Sequence, residues 1–146
     1  MTHAVVEWLL SDATIRTLVG DNSSADTHKI YQAIVPQDEA PPYICIRVAG
    51  FDTSSFMCKR EATNRERDRI QIDCYAKSYV DTYTLYRAVR QVLDGNSFTA
   101  SDGTEIDAQI IEGRDYTVNE LLEIAKRNVY GIVSVYDCDV TLGSIT

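Results

Sequence analysis

The stretch RDRIQIDCYAKSYVDTYTLYRAVRQVLDG, residues 67–95, decides the fold. Its first part alternates: Ile70, Ile72, Cys74 and Ala76 oppose Gln71, Asp73, Tyr75 and Lys77, the period of a strand with one buried face. The period then changes. Ser78 followed by Asp81 has the form of a capping box with Asp in place of Glu or Gln, and Gly95 supplies a stop, so residues 79–94 read as the clearest helix of the chain. Leu85, Ala88, Val89, Val92 and Leu93 give that helix one apolar face. Such a face needs a sheet to cover. The fold class expected is α+β, with an antiparallel or mixed sheet packed on this main helix and its other side left free.

Working outward, Tyr43 to Gly50 alternates as well, with Ile44, Ile46 and Val48 on one face and Tyr43, Cys45 and Arg47 on the other. If this strand pairs with residues 67–77, the segment between them, an extended loop from Phe51 to Glu66, becomes the long arm of a β-hairpin. Lys29 to Val35 reads as a short strand ended by Pro36. Residues 3–19 carry Val5, Val6, Trp8, Leu9, Leu10, Ile15, Leu18 and Val19 at helical spacings. Ser11 or Asp12 can cap a second turn and Gly20 can stop it, so this N-terminal helix is expected to break near residue 11. Toward the other end, Asp102-Gly103 is a hairpin signal between Phe98 and the run Ile106, Ala108, Ile110. Val129 to Leu142 reads as a long final strand; Asn119 to Arg127 fits a short helix or an irregular lead-in. A chain of 146 residues is the size of one domain, and a single domain over residues 1–146 is expected.

Composition narrows the function. Fourteen Lys and Arg against 22 Asp and Glu give a net charge of -8, so the average surface repels phosphate backbones and a sequence-reading nucleic-acid binder is disfavoured. An acidic wall can still let DNA pass. The apolar runs are too short to span a bilayer, and no basic segment precedes the first of them, so a membrane role and an export signal are not expected and folding in a cytoplasm is. Cys45, Cys58, Cys74 and Cys138 lack the spacing of zinc or redox pairs; reduced thiols are expected, with Cys74 a small buried hydrophobe. The two histidines, His3 and His28, offer almost no material for catalysis, and His3 is expected exposed and unpaired in a mobile N-terminus. No glycine-rich phosphate loop occurs. Asp137 and Asp139 share a strand face and could hold a divalent cation with Asp107, but a solvated strand face is the better reading. Neither an enzyme nor a cofactor nor a metal site is expected.

Two features suggest assembly instead. Lys59, Arg60, Arg65, Arg67 and Arg69 make a locally basic segment in an acidic chain, beside the apolar Phe51, Phe56 and Met57. A mixed-charge solvated loop would look the same, but a docking arm whose arginines seek acidic surface on a neighbouring copy is the functional reading. Among the nine tyrosines, Tyr75, Tyr79, Tyr83 and Tyr86 cluster at the strand-to-helix junction, and Tyr130 and Tyr136 lie on the last strand. They divide between core and interface, with Tyr75 and Tyr130 taken as interface candidates. An acidic body with a basic arm suits head-to-tail association, which closes into rings.

The ordered string carries a resemblance. A helix ending near Leu18-Val19-Gly20, then Lys29-Ile-Tyr with Val35-Pro36-Gln37, then Ala40-Pro-Pro-Tyr-Ile-Cys-Ile, then Arg69-Ile-Gln-Ile-Asp-Cys-Tyr-Ala-Lys-Ser-Tyr and the helix Leu85 to Leu93 resembles the phage tail-completion family. The resemblance spans roughly residues 3 to 95 well and the last strand loosely. That family is similar to the tail terminators of long-tailed phages. It implies α+β subunits in a hexameric ring on the end of the tail tube, halting tube growth and presenting a face to the head connector. The partners implied are other copies of the chain, the tail tube protein, a connector or stopper protein, and DNA passing through the lumen without sequence-specific binding. The place implied is the head-proximal end of the virion tail, after assembly in the host cytoplasm. A rival reading is a monomeric acidic adaptor, such as a DNA mimic, for a basic protein partner.

Overall fold

The computed structural model describes residues 2–19, 29–33, 42–52, 65–117 and 130–141. In chain order the elements are α1 (Thr2–Leu10), α2 (Ala13–Leu18), β1 (Ile30–Gln32), β2 (Tyr43–Asp52), β3 (Arg65–Ala76), α3 (Tyr79–Leu93), β4 (Asn96–Thr99), β5 (Glu105–Thr117) and β6 (Tyr130–Thr141). The strands form one six-stranded sheet in the order β1-β2-β3-β6-β5-β4. Every neighbouring pair is antiparallel except β1 with β2, which is parallel. The fold is therefore α+β with a mixed sheet. β2 and β3 are the antiparallel pair expected of a hairpin. The extended loop expected from Phe51 to Glu66 is shorter at both ends, because Phe51 and Asp52 continue β2 and Arg65 and Glu66 open β3; the rest of it, residues 53–64, and the lead-in expected at Asn119 to Arg127 lie outside the described residues.

Local chemistry sets the helix ends. Ser78 is extended and its hydroxyl accepts the Asp81 N–H at 3.1 Å, while Gly95, at φ +73°, takes the left-handed turn that releases the chain into β4. The break near residue 11 has its cause in Asp12, whose carboxylate accepts the N–H groups of Thr14 (2.9 Å) and Ile15 (3.1 Å) and so starts α2. Helix α3 lies against β3, β5 and β6, and α1 against β1 and β2. Between these layers Leu9, Ile15, Ile44, Ile46, Ile70, Ile72, Leu85, Leu93, Ile106 and Tyr136 are all buried in one cluster. Trp8 stacks on Phe98 with ring centroids 5.6 Å apart, which fastens α1 to β4.

Several expectations need correction. Val48, assigned by alternation to the buried face, is 46% exposed, because no described core residue of β2 lies beyond Ile46 and a bulge follows between Val48 and Gly50. The side of the sheet expected to be free is free only in part, since Cys45, Asp73 and Tyr75 on it are buried. His3 is neither in a mobile tail nor unpaired: it belongs to α1, and its Nε2 lies 2.8 Å from Asp102 Oδ2.

That contact joins α1 to the β4–β5 turn, where the Ser101 N–H and hydroxyl also donate to the Glu7 carboxylate. The Thr104 N–H, foremost, and His3 hold the Asp102 carboxyl down at about 2. A depressed carboxyl stabilises the fold above its ordinary range, and that contribution is lost as pH falls from about 4 toward the folded value. Asp102→Asn should therefore remove part of the acid-side fall of the melting temperature between about pH 4 and pH 2. An identical pH profile for both proteins would contradict the role given to this carboxylate.

Candidate assembly surface

The long strands carry a ladder of ion pairs on the face turned away from the helices. Alternation along β3 and β6 puts Arg67 and Arg69 directly opposite Asp139 and Asp137. Each arginine Nε donates to its partner's Oδ1 at 3.2 Å. One strand further out, Arg47 Nη2 lies 3.3 Å from Asp73 Oδ2, and Gln71 Nε2 donates to the other oxygen of Asp73 at 2.9 Å. The Cys45 sulfur accepts a longer bond from Arg47, and with the Asp73 charge it raises the guanidinium pKa against the opposing effect of burial. Asp107, opposite Asp139 on β5, accepts from the Ser97 hydroxyl.

Magnitudes separate two roles. The pairs of Arg67 and Arg69 are about half exposed on both sides, and exposed pairs contribute on the order of 0–1 kcal/mol each, so they do little for stability. They set the character of the surface. Among the described side chains of this face, Arg47, Arg67 and Arg69 stand against Asp73, Asp107, Asp137, Asp139 and Glu105, which leaves it acidic, with every arginine already bonded to a carboxylate. Asp73 is different, because its side chain is 3% exposed and depends on Arg47 and Gln71 to compensate a buried charge. At the same end of the face Tyr43 packs on Tyr75 at 5.0 Å and edge-on against Tyr31 at 6.4 Å.

A second surface lies on the outside of α3. Tyr79 (50% exposed), Val80 (71%) and Tyr83 (44%) form an apolar band, with Tyr79 stacked on Tyr83 and the Arg87 guanidinium 6.0 Å from the Tyr83 ring centre. This is an unusual concentration of apolar surface on a helix whose inner face is already fully used.

The residues singled out from sequence are not brought together. Arg67 is in the ion-pair ladder. Tyr75 is buried against Tyr43 within the subunit. Tyr130 is half-buried at the start of β6, and its carbonyl accepts the Thr82 hydroxyl at 3.2 Å. The backbones of Phe51 and Arg65 stand at the ends of β2 and β3, but their side chains, like all of Phe56, Met57, Lys59 and Arg60, are outside the described residues. Arg47, Asp73, Asp137 and Asp139 were missed as a set. A signal existed, because Arg67/Arg69 and Asp137/Asp139 are both two-apart pairs of opposite sign, but only a known register aligns them. Asp107, Asp137 and Asp139 are engaged by Ser97, Arg69 and Arg67, and among the described residues no group of three His, Cys, Asp or Glu is placed to hold a metal. Burial pushes the Cys74 thiol far up and that of Cys138 to about 12, so neither is a ready nucleophile. No helix among the described residues is long and apolar enough to cross a membrane.

Comparison with known proteins now bears on this geometry. No curated protein matches the chain. Among solved structures, a chain of the virion of a native gene transfer agent particle superposes with a TM-score of 0.67 at 17% identity, over 97% of this chain and 94% of that one. At that identity the likeness is one of fold. The family model described as tail completion protein gp17 matches residues 3–121, which takes in all three described helices and five of the six strands. The chain therefore belongs to the tail completion protein gp17 family and is a structural protein of the bacteriophage tail.

Proposed function

We propose that the chain is a ring-forming subunit, six copies to a ring, that caps the head-proximal end of the tail tube, stops its growth and offers the surface on which the head connector or stopper docks. The work is done by shape and not by catalysis. The observation that carries the reading is the ion-paired face: a sheet covered by helices on one side and, on the other, acidic with Arg47, Arg67 and Arg69 already neutralised. Turned toward a channel, such a face repels phosphate and, among the described side chains, offers it no free guanidinium, so DNA passes without being held. The apolar band on α3 then points outward, where a neighbouring tail component can cover it. The segment joining β2 to β3 is, in this reading, the arm that reaches a neighbouring copy or the tube. Each contact between copies needs about 800 Å² per partner if the ring is to stand alone.

The test is polymerisation of the tail tube protein with and without this chain. Tubes are expected to stop at shorter lengths, with one end blocked to further addition. Tubes that lengthen equally in both samples would overturn the capping role.

A further inference from the structure

Both edges of the sheet are only half paired among the described residues. β1 pairs with Ile44–Ile46 alone, so β2 runs on from Arg47 to Asp52 with no described strand beside it. At the far edge β4 pairs with Glu105–Ala108 alone, and β5 runs on to Thr117 in the same condition. Backbone bonds fix which groups turn outward. Ile44 donates to Lys29 and Ile46 accepts from Ala33, so on β2 the even-numbered residues direct their N–H and C=O groups away from β3, and Val48 is the next of them. On β5 the Ala108 carbonyl accepts from Gly95, and Asp94 caps the outward N–H of Ile110 at 3.0 Å. The bulge between Ile110 and Glu112 then shifts the parity, leaving Gly113, Asp115 and Thr117 with outward backbone groups.

Two independent observations say what fits there. Among the described residues, the large apolar side chains that remain exposed are the α3 band and two others, Val48 at 46% and Ile111 at 48%, one on each half-edge. Exposed apolar edges are what a protein that stays single avoids. The directions also match. β2 and β5 run antiparallel within one sheet, so a second copy set alongside in the same orientation brings its β2 antiparallel to the first copy's β5.

We propose that residues Gly113–Thr117 of β5 in one copy add as a strand to Arg47–Asp52 of β2 in the next, so that the sheets of the ring join into one continuous band. This rests on the ring reading above and names its contact. The two half-edges lie at opposite ends of the sheet: through the strand registers Gly50 is level with Gln109, whereas Asp115 is level with Ile44. Successive copies are thus staggered by about six residues, roughly 20 Å, over a four-strand repeat from β2 to the next copy's β2 that is roughly 19 Å across. A lean of the strands by about 45° to the ring axis absorbs that stagger, as strand tilt does in closed barrels. Each copy gives one edge and receives on the other, which is the heterologous contact that closes a ring.

The test compares the wild-type chain with Val48→Pro and Val48→Thr on tail tubes, by negative-stain imaging, with melting curves to establish folding. Proline removes the outward N–H and is tolerated on edge strands, whereas threonine keeps it. Rings are expected at tube ends for the wild type and Val48→Thr, and none for a folded Val48→Pro. Amide hydrogen exchange on the wild type gives a second readout that holds even if the proline variant does not fold: Val48, Gly113, Asp115 and Thr117 should slow on assembly. Rings from folded Val48→Pro, or unchanged exchange at those amides, would overturn the edge pairing and leave the ring standing. A wild type that forms no ring on tubes would overturn the ring itself, and the pairing with it.

Discussion

Asp137→Asn combined with Asp139→Asn is expected, on the ring proposed above, to give an assembly that holds DNA instead of letting it pass. In the native face Arg69 and Arg67 are spent on these two carboxylates, each at 3.2 Å. Neutralising both acids frees two exposed guanidiniums per copy in a ring where the same positions recur around the channel. Two phosphate contacts, the share of one copy, give a salt dependence with a slope of about −1.8, so binding to an arbitrary duplex should weaken at least roughly tenfold between 50 and 200 mM salt. Stability should change little, since exposed pairs of this kind contribute at most about 1 kcal/mol each. The measurement is anisotropy of a labelled duplex titrated with the assembled protein. Adding Arg67→Gln and Arg69→Gln to the same chain should abolish the gain. A double variant as indifferent to DNA as the native protein would mean that this face does not meet DNA.

Leu85→Ala is expected to cost about 2–5 kcal/mol, because it empties a site that is 1% exposed between α3 and the sheet. For a chain of this length a loss of about 3 kcal/mol lowers the melting temperature by roughly 6–12 °C. Val80→Ala on the same helix should stay within about 0.5 kcal/mol of the native protein, since Val80 is 71% exposed and touches no core. The contrast matters more than either value. Equal effects would mean that α3 does not present Leu85, Ala88, Val89 and Leu93 to the sheet, and the layer arrangement would have to be abandoned.

What could be read from residues alone followed the strength of each periodic signal. The switch at Ser78 from period two to a helical period placed β3 and α3 within two residues of their observed ends, because cap, stop and apolar face all agreed. Asp12 and the Asp102-Gly103 turn were legible for the same reason, each being a local preference with a short-range cause. Register was not legible. Nothing in the sequence of β3 says that Arg69 stands opposite Asp137, so the ion-pair ladder stayed hidden although every member of it was in view. Alternation also misplaced Val48 and Cys45, since it reports the side on which a residue points and not how far the covering layer extends. His3 failed for a similar reason: its partner Asp102 is 99 residues away.

In the ring we propose, copies of this chain close around a channel with their ion-paired sheet faces turned inward. Images of purified chain added to tail tubes, averaged along the tube axis, test it most directly. A closed ring at one tube end, with the sheets on its inner wall and α3 outside, is the result predicted. Bare tube ends beside single copies, or a ring with the helices lining the channel, would contradict it.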